Sequence, residues 1–213
     1  MTHITEPVRK SALDVVQYNL RAVGYRMEDI IQDLCMDYNN IPITGLFLVY
    51  PTCYVHVLEA WEDVIYKHYE LLYTTDDSEC KFGKAIPLPS YHHVHQRFFS
   101  GWCHVYMIPP TLIGTPVEAR TLDEIQKQVS NCLIKVYALC EYIANAVHKK
   151  SIDVQDALEN LKDKARYLPE NTVLESLLNV NLPVLKTVEE YLRLYSDVSP
   201  SVFWDGKNYT YIQ

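Results

Sequence analysis

The chain has 213 residues, of which 48% are hydrophobic, 12% aromatic and 22% charged, with only 6 Gly. That composition excludes disordered, collagen-like and low-complexity chains and is enough for one large domain or for a core of about 100 residues with an extension. A formal net charge of −8, with His148-Lys149-Lys150 the nearest thing to a basic cluster, argues against a nucleic-acid binder.

The start, Met1-Thr2-His3-Ile4-Thr5-Glu6-Pro7, lacks the basic and apolar regions of a signal peptide, and no stretch approaches the ~20 apolar residues of a membrane span. A soluble intracellular protein is expected. Its cysteines (Cys35, Cys53, Cys80, Cys103, Cys132, Cys140) form no Cys-x-x-Cys pair, so they read as small apolar core residues rather than a zinc or redox site.

Taken in chain order, Ala12-Leu13-Asp14-Val15-Val16-Gln17-Tyr18 is readable as a strand or as the extension of a helix; the strand is preferred. Met27, Ile30, Ile31, Leu34 and Tyr38 recur at helical spacing, and this helix ends near Asn39-Asn40. The nearly continuous apolar run from Ile43 to Tyr50 predicts a central strand. The short Pro51-Thr52 connection then predicts an antiparallel hairpin with Cys53 to Glu59. A second helix begins near Trp61, with Val64, Ile65, His68, Leu71 and Leu72 inward. Extended runs follow at Phe82 to Leu88 and Trp102 to Ile108, on either side of the His-rich Tyr91-His92-His93-Val94-His95. The order β-α-β-β-α-β-β corresponds to an α+β, ferredoxin-like sheet with two helices on one face.

Pro109-Pro110 interrupts both strand and helix and divides the chain into 1–110 and a helical extension, 111–213. Thr121-Leu122-Asp123-Glu124 is a capping box. Leu122, Ile125, Val129, Cys132, Val136, Leu139 and Ile143 then form the stripe of a long helix, which packs on neighbouring helices or, alternatively, on a second copy. Three shorter helices are expected. One carries Val154, Leu158, Leu161 and Ala165; the second is capped by Thr172 with Glu175; the third opens at Asn181-Leu182-Pro183. The tail from Phe203 to Gln213, with Trp204, Tyr209 and Tyr211, is too aromatic to be free and should dock.

Asn39-Asn40-Ile41-Pro42-Ile43-Thr44-Gly45-Leu46, then Val55-His56-Val57-Leu58-Glu59, and later Arg97-Phe98-Phe99-Ser100-Gly101-Trp102 resemble in order three signatures of the blue-light-sensing flavin (BLUF) family. These are an asparagine pair before Ile-Thr-Gly-Leu, a Leu-Gln-Val-Leu-Glu-Gly strand, and Arg-x-Phe-x-x-Trp; together they span roughly residues 12–108. The resemblance implies a ferredoxin-like domain and, as degenerate flavin-pocket positions, Asn39, Asn40, His56, Trp102 and His104. His56 stands at the flavin-switching glutamine, His104 at a methionine, and Ala60 at the glycine after Glu59. An imidazole cannot exchange a separate donor and acceptor as an amide does. The light switch is therefore expected to be lost, with no cofactor bound; the alternative is an FAD-binding blue-light or redox sensor. The family's first-strand tyrosine has no assigned counterpart beyond Tyr18.

Tyr50-Pro51-Thr52 before Val55-His56-Val57-Leu58-Glu59 is closer still to a BLUF-like protein of animal sperm flagella. That likeness implies a non-catalytic structural component of a ciliary or flagellar axoneme, with axonemal proteins of a microtubule-associated complex as partners. Its candidate contact surfaces are the aromatic tail and the open face of the sheet.

By residue type alone, His56 reads as a hydrogen-bonded core histidine, Trp102 as a packing aromatic, and Asn39-Asn40 as a helix C-cap and turn. His93 and His95 could share a strand face with His56 or His104, but no Cys or carboxylate completes a metal set and none is expected. With no Gly-x-Ser-x-Gly, phosphate loop or Gly-x-Gly-x-x-Gly, an enzyme is disfavoured.

Overall fold

The structure is a computed structural model and describes residues 12–39, 41–74, 82–92, 96–110, 121–180, 183–195 and 208–212. The first element is a 26-residue helix, α1 (Ala12–Asp37), held down by Met27, Ile30, Ile31 and Leu34, all buried. The strand expected at Ala12–Tyr18 is thus helix, and Tyr18 lies 68% exposed on it. Lengthening an existing helix adds one hydrogen bond per residue and needs no new nucleus, so this ambiguous segment continues α1.

The hairpin forms as expected. β1 (Thr44–Val49) is buried along its whole length and pairs antiparallel with β2 (Tyr54–Trp61), Phe47 opposite His56 and Thr44 opposite Glu59. The turn closes where the Tyr50 N–H donates to the Cys53 carbonyl at 2.9 Å. α2 (Glu62–Thr74) follows directly, with Glu62 and Asp63 in its first turn, where negative charge complements the helix dipole.

Residues 82–88 form no strand, contrary to the expectation for that run; β3 is only Tyr91–His92, and β4 (Trp102–Tyr106) lies parallel to β1. The C-terminal residues supply β5 (Asn208–Ile212), antiparallel to β2, so this part of the tail does dock. Trp204 lies outside the described residues.

The sheet order is β3-β5-β2-β1-β4. The fold is α+β as expected, but the order β-α-β-β-α-β-β is not observed: the neighbour of β2 opposite β1 comes from the C-terminus, and it is antiparallel.

Helices cover both faces of the sheet. On one side α1 and α2 bury Phe47, Val49, Leu58 and Ala60; on the other lie Leu46, Leu48, Val55 and Val57 beneath α3 (Leu122–Lys150). The expected two helices on one face are present, and the expected open face is not: Val136, Leu139, Cys140 and Ile143 of α3 fill it. Thr121 and Glu124 make the reciprocal hydrogen bonds of the capping box. Every stripe residue from Ile125 to Ile143 is at most 8% exposed, and only Leu122 is left out, so the stripe is used within the chain and is not a dimer seam.

α4 (Val154–Glu159), α5 (Lys164–Tyr167), α6 (Asn171–Asn179) and α7 (Val188–Tyr195) complete the fold. The first expected short helix breaks into two, each capped by an aspartate, Asp153 and Asp163. Thr172 does not cap α6, which begins one residue earlier without a side-chain cap. α7 starts not at Pro183 but where Thr187 and Glu190 exchange hydrogen bonds in a second capping box. Its Val188 returns to the α1–α2 side, 0% exposed.

Candidate functional site

Three of the five residues singled out from sequence meet on one face of the sheet. His56 on β2 and Trp102 and His104 on β4 all point toward α1 and α2, because alternate strand residues share a face. The Trp102 indole N–H donates to His56 Nε2 at 3.0 Å. An accepting Nε2 on a neutral ring places the imidazole proton on Nδ1. Phe47 stacks on Trp102, its centroid 6.3 Å away at 22°, and meets His56 edge-on at 5.2 Å.

Asn39 sits exposed in the turn after α1, away from this cluster, and Asn40 lies outside the described residues, as do His93 and His95. Among the described residues no group of three metal-ligating side chains occurs.

Sequence reasoning missed His68 as a member of the cluster. It is fully buried on α2, its ring 5.0 Å from that of His56. Its place in the inward stripe with Val64, Ile65 and Leu72 carried the signal: a histidine on that face must find polar company.

The space between α1, α2 and the sheet is packed with Met27, Ile30, Phe47, Ile65 and Tyr69, none more than 2% exposed. A separate cleft of about 690 Å³ opens at the β1–β2 turn, lined among others by Val23, Tyr54, Phe82 and Leu174; His56, Trp102 and His104 take no part in it.

His104 lies nearer the surface, its Nδ1 4.0 Å from Glu28 Oε2. Burial lowers its pKa, and the Glu28 carboxylate opposes that shift. A histidine held below its unfolded value contributes stability above the unfolded pKa, and loses it as pH falls through the folded one. Urea midpoints are therefore expected to fall between about pH 7.5 and about pH 5.5, and to fall less steeply in His104→Phe. An unchanged slope in that variant would refute the assignment.

Beneath β2 on the α3 side is a second polar group. The Glu59 carboxylate, 1% exposed, accepts from Thr44 Oγ1 at 2.8 Å and from the Phe98 and Phe99 N–H groups at 2.8 and 3.2 Å. Arg97 Nη1 donates to the Glu59 carbonyl at 2.6 Å and to Thr44 Oγ1 at 3.1 Å. Arg97 is lowered by burial and raised by Glu59. This clamp ties the segment before β4 to the hairpin.

Thiol chemistry finds little support at neutral pH. Burial pushes Cys103 up to about 11 and Cys53 and Cys132 up to about 12, which leaves these sulfurs protonated and weakly nucleophilic.

The profile of the family described as testis-expressed protein 47 matches residues 13–197 of the chain. No curated protein matches it. Among the described residues no helix is long and apolar enough to cross a membrane.

Proposed function

We propose, from the premise that the chain belongs to the testis-expressed protein 47 family, that it is a non-catalytic structural component of a sperm-flagellar or ciliary axoneme. In this reading the domain is BLUF-like, and two of its flavin positions, His56 and Trp102, have become partners in packing. The observation that carries it is the hydrogen bond from Trp102 to His56 inside a filled space. The residues do not fit an isoalloxazine ring: the volume between α1 and α2 is taken by Phe47, Ile65 and Tyr69, and the imidazole edge at the switching position already accepts the indole proton. Asn39 faces solvent rather than that volume. The sperm context rests on the family's description and the axonemal part on the likeness to a flagellar protein; the partners in this reading are axonemal proteins of a microtubule-associated complex.

Two measurements test it. The purified protein, incubated with FAD and freed of excess, is expected to show no flavin absorption band. A retained band would overturn the non-catalytic reading in favour of a light or redox sensor, with His56→Gln the variant to examine for a light-induced red shift. In detergent-extracted sperm the protein is expected to stay with the axonemes; release with the soluble fraction would refute the structural role.

A further inference from the structure

β4 is an edge strand. Its Gly101 carbonyl accepts from Gly45 N–H at 3.1 Å and its Met107 N–H donates to the Val49 carbonyl at 3.0 Å. Since successive residues of a strand turn their backbone groups to opposite sides, Gly101, Cys103, Val105 and Met107 face β1. Trp102, His104 and Tyr106 aim N–H and C=O outward, and no described residue pairs with them. Natural edges are blunted by lysine, proline, bulges or shortness. The opposite edge, β3, is two residues long. β4 is a β-prone run, Trp102-Cys103-His104-Val105-Tyr106, with no formal charge and no proline until Pro109.

The flank beside this edge is also built for contact. α1 runs antiparallel to β4: the Arg21 carbonyl accepts from Tyr106 Oη at 3.1 Å, the Tyr25 ring lies 5.7 Å from that of His104, and Glu28 follows at 4.0 Å from His104. Tyr25 is 58% exposed and Ile108, just past the strand, 76%.

We infer that the β4 edge pairs with the β4 edge of a second copy of this chain, antiparallel, about a two-fold axis at His104. The axis sets Trp102 opposite Tyr106 of the second copy, and His104 opposite its own counterpart, so each outward residue exchanges both of its backbone hydrogen bonds. Tyr25 sits beside the axis. Arg21, four residues before it, comes opposite Asp29 of the second copy, four residues after it, and both are exposed. The pairing is thus complementary in charge as well as in hydrogen bonding, twice over by symmetry. The spacing also closes: α1 lies over both β1 and β4, so strands about 4.8 Å apart across the new edge bring the two α1 helices to roughly 10 Å, a packing distance. This inference is independent of the axonemal reading and of any cofactor.

Sedimentation equilibrium of the full chain at about 100 µM and moderate salt tests it, the expected mass being twice 24.8 kDa. Arg21→Asp, an exposed change, sets like charges against Asp29 and is expected to weaken self-association at least tenfold; Arg21→Asp with Asp29→Arg should restore it. His104→Pro, which places a proline ring on the outward edge without touching a bond to β1, should abolish the dimer. A single-chain mass for the unaltered protein overturns the proposal. So does a dimer indifferent to Arg21→Asp, or one that the double exchange fails to rescue; the exchange keeps the test decisive if the proline variant fails to fold.

Discussion

Gly45→Ala is expected to prevent stable folding, with a loss of more than about 4 kcal/mol if the protein can be recovered at all. Gly45, the second residue of β1, holds φ at +153°, where a side chain is strained whatever space surrounds it. Space is lacking as well. A Cβ would lie inside the van der Waals shell of the Val57 carbonyl oxygen and 3.2 Å from the Leu58 Cα, both backbone atoms of the paired strand. Backbone in a ladder cannot turn aside as a side-chain tip can, so relief requires that β1 and β2 separate. Gly45 also donates to the Gly101 carbonyl at the head of β4, so the distortion reaches both neighbours of β1. The readout is soluble yield, far-UV circular dichroism and urea unfolding. A midpoint corresponding to less than about 1 kcal/mol of loss would show that the close approach is not required.

Glu59→Ala is the second large effect, at about 3–5 kcal/mol, a substantial part of a typical total of about 5–15. The substitution leaves Thr44 Oγ1 and two backbone N–H groups beside β2 without their carboxylate, and Arg97 without its counter-charge. Glu59→Gln keeps the shape and one good acceptor, so about 1–3 kcal/mol is expected. The ordering matters more than either value: Glu59→Ala must cost more than Glu59→Gln, and Arg97→Met should fall near the former because it strands a buried carboxylate. Urea midpoints for all three equal to that of the unaltered protein would mean that the clamp contributes no net stability.

These two residues lie in the segments whose resemblance to a known family was legible from sequence, yet their physical roles were not. Thr44-Gly45 and Glu59 are recognisable as a pattern, but that Glu59 accepts from the N–H groups of Phe98 and Phe99 depends on a loop closing from 39 and 40 residues away. His68 shows the same limit on the other face. Its inward position follows from spacing alone, while its meeting with His56 needs α2 laid across the sheet. His56 and Trp102 were singled out in sequence and do come together, 46 residues apart, although as partners in packing. Asn39, singled out on the same grounds, lies exposed in the turn after α1.

Features that depend on neighbours within about a turn of helix or a tight hairpin are legible in the residues alone. The Thr121 capping box, the α3 stripe, the nearly continuous apolar run of β1 and the β1–β2 turn were all readable, because the groups that satisfy one another are at most a few residues apart. Even α7 obeyed this rule through Thr187 and Glu190, a local signal obscured by the proline upstream. Tertiary structure decided the fate of Ala12–Tyr18, the strand that lies beside β2, and the covering of both faces of the sheet. Those outcomes are competitions. The place beside β2 can hold one strand, and the C-terminal residues 208–212 occupy it with a five-residue antiparallel ladder, which leaves the N-terminal segment to continue α1. A residue pattern states what a segment can become, and only the set of partners available to it selects among the choices.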